Sequence, residues 1–230
     1  MAARWSLRVA VAALVVAAAT ALTQAEETVA KPPARKPSYH DFRRDIFAIS
    51  KVRSASIVML GDSITEAGPW DELTGCRSMA NRGIGGDTTA GVLARLDDVV
   101  KLRPRALFLM IGVNDVALGV PRERTVENYR RILDRLDGPD FRTFVAYVLP
   151  VAKSYAKWRN NESITTLNTA IAGLIAGRAN VTAIDLRPLV SDHDGFLRED
   201  LSYDGLHPSA KGYAIWRDAI AAEVTTFCAP

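Results

Sequence analysis

The sequence predicts a three-layer α/β fold built on a five-stranded parallel sheet. Three observations carry that expectation. Short apolar runs alternate with stretches of helical periodicity along the whole chain, strand then helix, five times over. The runs are continuous rather than alternating, as strands covered on both faces must be. Each early run ends in a polar or glycine-rich turn, and a parallel sheet collects such turns at the carboxyl ends of its strands.

Asp41 to Ser50 reads as a leading helix with Phe42, Ile46 and Phe47 on one face. Ser56 to Leu60 is the first strand; Gly61 breaks it, and Asp62-Ser63 open a helix. Arg77 to Ala80 is a weaker second strand before Asn81-Arg82-Gly83-Ile84-Gly85-Gly86-Asp87. From Thr88, the residues Val92, Leu93, Leu96, Val99 and Val100 recur at helical spacing until Arg103-Pro104. Ala106 to Ile111 is the third strand and Val126 to Leu136 a helix closed by Gly138-Pro139. Thr143 to Leu149, a helix through Ile164 and Ile175, and Val181 to Leu186 complete the alternation. Tyr213, Trp216, Ile220 and Val224 line one face of a last helix.

The ends of the chain divide it. Arg4 and Arg8 precede an apolar run from Val9 to Ala19, and Thr23-Gln24-Ala25 offers small residues for cleavage, the pattern of a signal peptide over residues 1–25. The run is shorter than the ~20 residues a spanning helix needs. Residues 26–40, with Pro32-Pro33 and Pro37, read as an exposed linker, and 41–230 as one domain. Removing the first segment, with two Arg and no acidic residue, takes the formal charge from +3 to +1. A near-neutral chain gives no reason to expect nucleic acid or an anionic membrane as a partner. The expected location is periplasmic or secreted, with no membrane span after cleavage. Two cysteines and three histidines, with no cluster at ligand spacing, support no metal site or other cofactor.

Chemistry concentrates at strand ends. Ser63 lies between a strand and a helix start, where exposed backbone N–H groups favour a developing anion. A serine hydroxyl needs a base, and the base needs a group that fixes its tautomer. His40 falls in the linker and His193 in the polar turn Ser191-Asp192-His193-Asp194-Gly195. His207, with Asp204 three residues before it, is the remaining candidate: Ser63 as nucleophile, His207 as base, Asp204 as its orienting carboxylate. The backbone N–H groups of Ser63 and Gly86 and the Asn114 amide are the candidate oxyanion donors. Taken singly, Asp204-x-x-His207 could satisfy a turn, the Gly83 to Gly86 run could be a tight turn, and Asn114 could cap a helix.

Together these blocks resemble the SGNH (GDSL-type) hydrolase family, named for Ser, Gly, Asn and His in four separate blocks. The residues that carry the resemblance are Gly61-Asp62-Ser63-Ile64, Gly86 within Gly85-Gly86-Asp87-Thr88, Asn114 within Gly112-Val113-Asn114-Asp115, and Asp204 with His207. Ile64 stands where the family name has Leu. The resemblance implies a flavodoxin-like strand order 2-1-3-4-5, no metal, and ester hydrolysis through an acyl-serine. The run Asn81 to Thr89 is similar to the branch containing platelet-activating-factor acetylhydrolase, which implies small acyl groups, acetyl above all. Acetylated carbohydrates, short-chain esters and lysophospholipids are the expected substrate classes; an acyltransferase using the same serine, or a binding module retaining the fold, are the alternatives. Trp70, Leu149, Tyr155 and Trp158 are candidate pocket walls. In this topology Cys76 and the end of the last helix fall on the side of the sheet away from Ser63, so Cys76 and Cys228 are expected to form a disulfide.

Overall fold

Two glycines explain how the sheet accommodates its first helix. The sheet is parallel with the order β2-β1-β3-β4-β5, formed by β1 (Ile57–Gly61), β2 (Met79–Gly83), β3 (Ala106–Met110), β4 (Arg142–Ala146) and β5 (Val181–Ile184). This is the order that the resemblance implies. Its register sets Gly61 opposite both Gly83 and Met110, so three strands end level. A Cβ on Gly61 would stand 2.2 Å from Thr65 Oγ1, and one on Gly83 would stand 2.2 Å from the backbone N of Glu66. Only bare backbone lets the helix α2 (Ser63–Glu66) sit down on those strand ends. The computed structural model describes residues 38–138, 141–157 and 160–228, and these form one compact unit.

Around the sheet lie α1 (Tyr39–Ile49), α3 (Trp70–Thr74), α4 (Thr89–Ala94), α5 (Leu96–Val100), α6 (Val113–Ala117), α7 (Arg122–Arg135), α8 (Asn161–Ile175), α9 (Arg187–Val190), α10 (Ala210–Ala219) and α11 (Ala221–Phe227). Contacts sort most of them into two groups: α4 on α7 and α7 on α8, against α3, α9 and α11 on α10. Right-handed crossovers from an order of this kind put those groups on opposite faces of the sheet. Every residue of β1 and β3 is buried, which is why their sequences are unbroken apolar runs. Phe108 stacks on Phe144 at 4.8 Å, and Trp70 meets Tyr213 and Trp216 edge-on at 5.7 and 4.8 Å. Cys76 and Cys228 are joined by a disulfide with their Cα atoms 5.9 Å apart. Among the described residues no helix is long and apolar enough to cross a membrane.

Several boundaries differ from the sequence expectation. The strand expected at Arg77 to Ala80 runs from Met79 to Gly83, so Asn81 and Arg82 lie inside it. Asn81 belongs there because its amide bonds the carbonyls of Thr65, Glu66 and Gly68, each at 3.0 Å, and accepts from Gly83 N–H. The single helix expected after Thr88 is two, broken at Arg95, whose backbone leaves helical geometry at φ −114° and ψ 9°. The last helix is likewise divided, at Ile220. The leading helix starts at Tyr39, through a capping box between Ser38 and Asp41, so the end of the expected linker is helical. It buries no residue, and Phe42 remains half exposed: polar contacts hold this helix, not the apolar face its spacing suggested. Residues 1–37, which include the signal-peptide pattern, lie outside the described residues.

Candidate active site

Ser63 is the first residue of α2, and the carboxylate of Asp62 caps that helix by accepting from Ile64 N–H at 3.0 Å. The cap leaves Ser63 Oγ projecting from the carboxyl edge of β1. Tyr213 and Trp70 fix the helix from the other side, donating to the carbonyls of Ile64 and Thr65 at 2.7 Å each. Trp70 is therefore a core residue with 1% of its surface exposed, and Leu149 is buried too; neither is the pocket wall expected of it. Trp158 lies outside the described residues.

The histidine arrives on a turn. Gly205, at φ +87°, reverses the chain between Asp204 and His207, and a Cβ there would stand 2.8 Å from the Cβ of Tyr155. Tyr155 thus packs against the turn that carries His207. Asp204 Oδ1 accepts from the backbone N–H groups of Leu206 and His207, at 2.9 and 2.8 Å. That leaves Oδ2 for His207 Nδ1, at 2.6 Å, and His207 Nε2 reaches Ser63 Oγ at 2.9 Å. Burial works against the Asp204 carboxylate, but its hydrogen bonds to His207 and Leu206 outweigh burial and hold it below the ordinary carboxylate range. Structure thus joins the three candidate catalytic side chains in one hydrogen-bonded chain. His193 is 88% exposed on its polar turn, beside Asp194.

Gly86 sits in the loop after β2 at φ +75°, exposed, with nothing to oppose an approaching ligand. The next residue links it to Asn114: Asn114 Nδ2 donates to the Asp87 carbonyl at 2.9 Å. That bond fixes the plane of an amide that carries two N–H donors. Asp87 is itself anchored, its Oδ2 2.8 Å from Arg95 Nε, both side chains 2% exposed. The rest of the Arg95 guanidinium donates to the carbonyls of Arg82 and Gly61, at 2.8 and 3.1 Å. One guanidinium thereby ties the ends of β1 and β2 to the Gly86 loop. Asp115 does similar work, accepting from Thr89 N–H and Oγ1 at 3.0 and 2.6 Å, with burial pushing its acid up.

Three participants were not legible as such. His40, placed in the linker by sequence, stands 3.3 Å from Asp87 Oδ1. Arg95 carries one signal in the sequence, a cation inside an apolar helical face. Tyr203 stacks on the His207 ring at 5.6 Å while 71% exposed, an aromatic beside the base that no spacing rule singles out. Among the described residues no group of three or more His, Cys, Asp or Glu could hold a metal ion.

Comparison with known proteins places the chain among ester hydrolases. The chain is 28% identical over 184 residues, 76% of either protein, to platelet-activating factor acetylhydrolase IB subunit alpha1 of Pongo abelii. It is 24% identical over 207 residues to the isoamyl acetate-hydrolyzing esterase of Saccharomyces cerevisiae, covering 74% of this chain and 86% of that one. The solved structure of the lipase/acylhydrolase from Enterococcus faecalis superposes with a TM-score of 0.65 at 26% identity, covering 76% of this chain and 98% of that one. Residues 59–215, from β1 into α10, match the GDSL-like Lipase/Acylhydrolase family, and the chain belongs to that family.

Proposed function

We propose that this carboxylic ester hydrolase cleaves esters of small acyl groups, acetyl foremost, through an acyl-serine intermediate. The observation that carries the reading is the chain Ser63 Oγ, His207 Nε2, His207 Nδ1, Asp204, with links of 2.9 and 2.6 Å. In the first step Ser63 Oγ bonds to the ester carbonyl carbon and its proton passes to His207 Nε2. Asp204 keeps Nδ1 protonated and so keeps Nε2 the basic nitrogen. The carbonyl oxygen, now negative, takes hydrogen bonds from Ser63 N–H, Gly86 N–H and Asn114 Nδ2. Collapse expels the alcohol with the proton from His207; water repeats the sequence on the acyl-serine and releases the acid.

Small acyl groups are supported by the names of two relatives, an acetylhydrolase and an acetate-hydrolyzing esterase. An acetylated carbohydrate, a short-chain ester or a lysophospholipid would supply the alcohol. The signal-peptide pattern and the Cys76–Cys228 bond support export to an oxidising compartment.

The test is p-nitrophenyl ester hydrolysis over rising chain lengths by purified protein and by Ser63→Ala. Wild type should prefer acetate, and the variant should lose about 10⁶ in kcat. Turnover of Ser63→Ala near wild type would overturn the mechanism; preference for long chains would overturn the substrate class.

A further inference from the structure

Glu66 closes α2, one turn after Ser63, and its carboxylate faces two other parts of the chain at once. Oε2 accepts from Gly85 N–H at 2.6 Å. Oε1 accepts from the Tyr39 hydroxyl at 2.7 Å and pairs with Arg43 Nε at 2.6 Å. Its side chain is only 16% exposed. The nucleophile's own helix is thus bonded to the residue before Gly86, and α1 covers the link from outside.

The loop geometry shows what this link can do. Gly86 has an exposed backbone at positive φ, and its flanks hold it in place. On the far flank Asp87 is held by Arg95 and, through its carbonyl, by Asn114. On the near flank the Gly85 amide is held by Glu66. A Cβ on Gly85 would stand 3.0 Å from Glu66 Oε2 and 3.3 Å from the Tyr39 ring, so the loop lies close under both. The bond that Tyr39 donates to Glu66 also pushes its phenol pKa up, as a hydroxyl bound to a carboxylate should be.

We infer that Glu66 is a positioning residue for the oxyanion hole: it fixes the Gly86 N–H relative to Ser63, with Tyr39 and Arg43 as its outer brace. The inference rests on the esterase reading above. Without Glu66 the Gly85 amide turns to water and the Gly86 donor loses the side-chain anchor on its near flank. A donor aimed at the oxyanion matters only in the transition state, so the loss falls on kcat and spares KM.

The experiment compares Glu66→Ala, Glu66→Asp and Glu66→Gln on p-nitrophenyl acetate, with folding checked by circular dichroism and thermal unfolding. Full removal of an oxyanion donor costs about 10²–10³ in kcat, so displacement of one should cost about 10- to 100-fold. Ala and Asp should both show that loss, the latter because it is one methylene too short, with KM within about twofold. Gln keeps an acceptor at full length and should stay within about fivefold of wild type. Inactivation of Ser63 by a phosphonate ester should slow in proportion to kcat. Wild-type kcat in Glu66→Ala, or a loss confined to KM, overturns the inference. So does an active Asp variant with an inactive Gln, since charge pairing with Arg43 would then be what counts. If Glu66→Ala does not fold, the Asp–Gln contrast decides. Wild-type protein that hydrolyses no ester would defeat the esterase reading instead. Amide exchange at Gly85 and Gly86, faster in Glu66→Asp than in wild type, still tests the tether in that case; equal exchange refutes it.

Discussion

Replacing Arg95 with Met tests whether the catalytic edge is held by buried charge. Met keeps most of the aliphatic stem and removes the guanidinium. What remains is the Asp87 carboxylate, 2% exposed, with Oδ2 facing no partner, the Arg82 carbonyl without the guanidinium donor, and the Gly61 carbonyl with Ile84 N–H alone. Burial already presses the Arg95 guanidinium toward neutrality while the Asp87 carboxylate opposes it, so the pair is no large net gain over an apolar one. Breaking it one-sidedly is different: an uncompensated buried charge costs about 3–5 kcal/mol. Domains of this size unfold about 2–4 °C lower per kcal/mol, so Arg95→Met should melt about 6–20 °C below wild type. Asp87→Asn with Arg95→Met removes both charges and should recover at least half of that loss. Urea denaturation with the disulfide intact measures both variants against wild type. If Arg95→Met lies within 1 kcal/mol of wild type, or the double variant is no more stable than the single, the reasoning fails.

Asn114→Ala should lower kcat about 10²–10³-fold on p-nitrophenyl acetate with KM little changed; a change confined to KM would make it a ground-state binding group. Cys76→Ser with Cys228→Ser opens a loop spanning 152 residues and should cost about 2–5 kcal/mol in urea; unchanged stability would show that the cross-link constrains nothing in the unfolded chain. The Asp204 acid is held below its unfolded value of 3.8, so its contribution to stability is present above that pH and lost as pH falls through the folded value. Asp204→Asn should therefore flatten the acid end of the stability profile and, by leaving His207 in the wrong tautomer, cut kcat about 10⁴-fold. An unaltered acid limb would assign that stability elsewhere.

What was legible in the sequence follows from how each residue is held. Val58, Leu60, Leu107 and Leu109 are buried on both sides of a parallel sheet, and continuous burial writes itself as a continuous apolar run. The triad was legible because a carboxylate three residues before a histidine can reach its ring through a turn, a local geometry. Asn81 and Arg95 were not, since the carbonyls they bind lie 13 to 34 residues away and no local period encodes them. Trp70 misled for a related reason: its loop runs from the catalytic edge, but its ring turns inward to Tyr213 and Trp216. Helix α1 misled in the opposite sense. Its apolar spacing suggested a core face, while Tyr39, His40 and Arg43 are what attach it, to Glu66 and Asp87.

These cases divide the molecule by kind of interaction. Below the catalytic edge, stability comes from apolar burial, which tolerates substitution as long as volume and pattern are kept. At the edge, parallel strands end level and present backbone groups that no further strand can pair. Asn81 binds three carbonyls there, Arg95 two more, and Glu66 an amide, each at a fixed reach that a neighbouring residue type does not reproduce. The same groups that satisfy the edge also orient Ser63, Gly86 and Asp87, so hydrogen-bond satisfaction and catalytic geometry are one constraint. The surface beyond is under no such constraint. Val116, Ala156, Lys157 and Phe196 line a cavity of about 570 Å³ beside α6, and Arg122, Glu162 and Thr166 line another of about 430 Å³ next to it. Neither lining includes Ser63, Gly86, Asn114 or His207, so substitutions there should leave the hydrogen-bonded edge, and with it the chemistry, as it is.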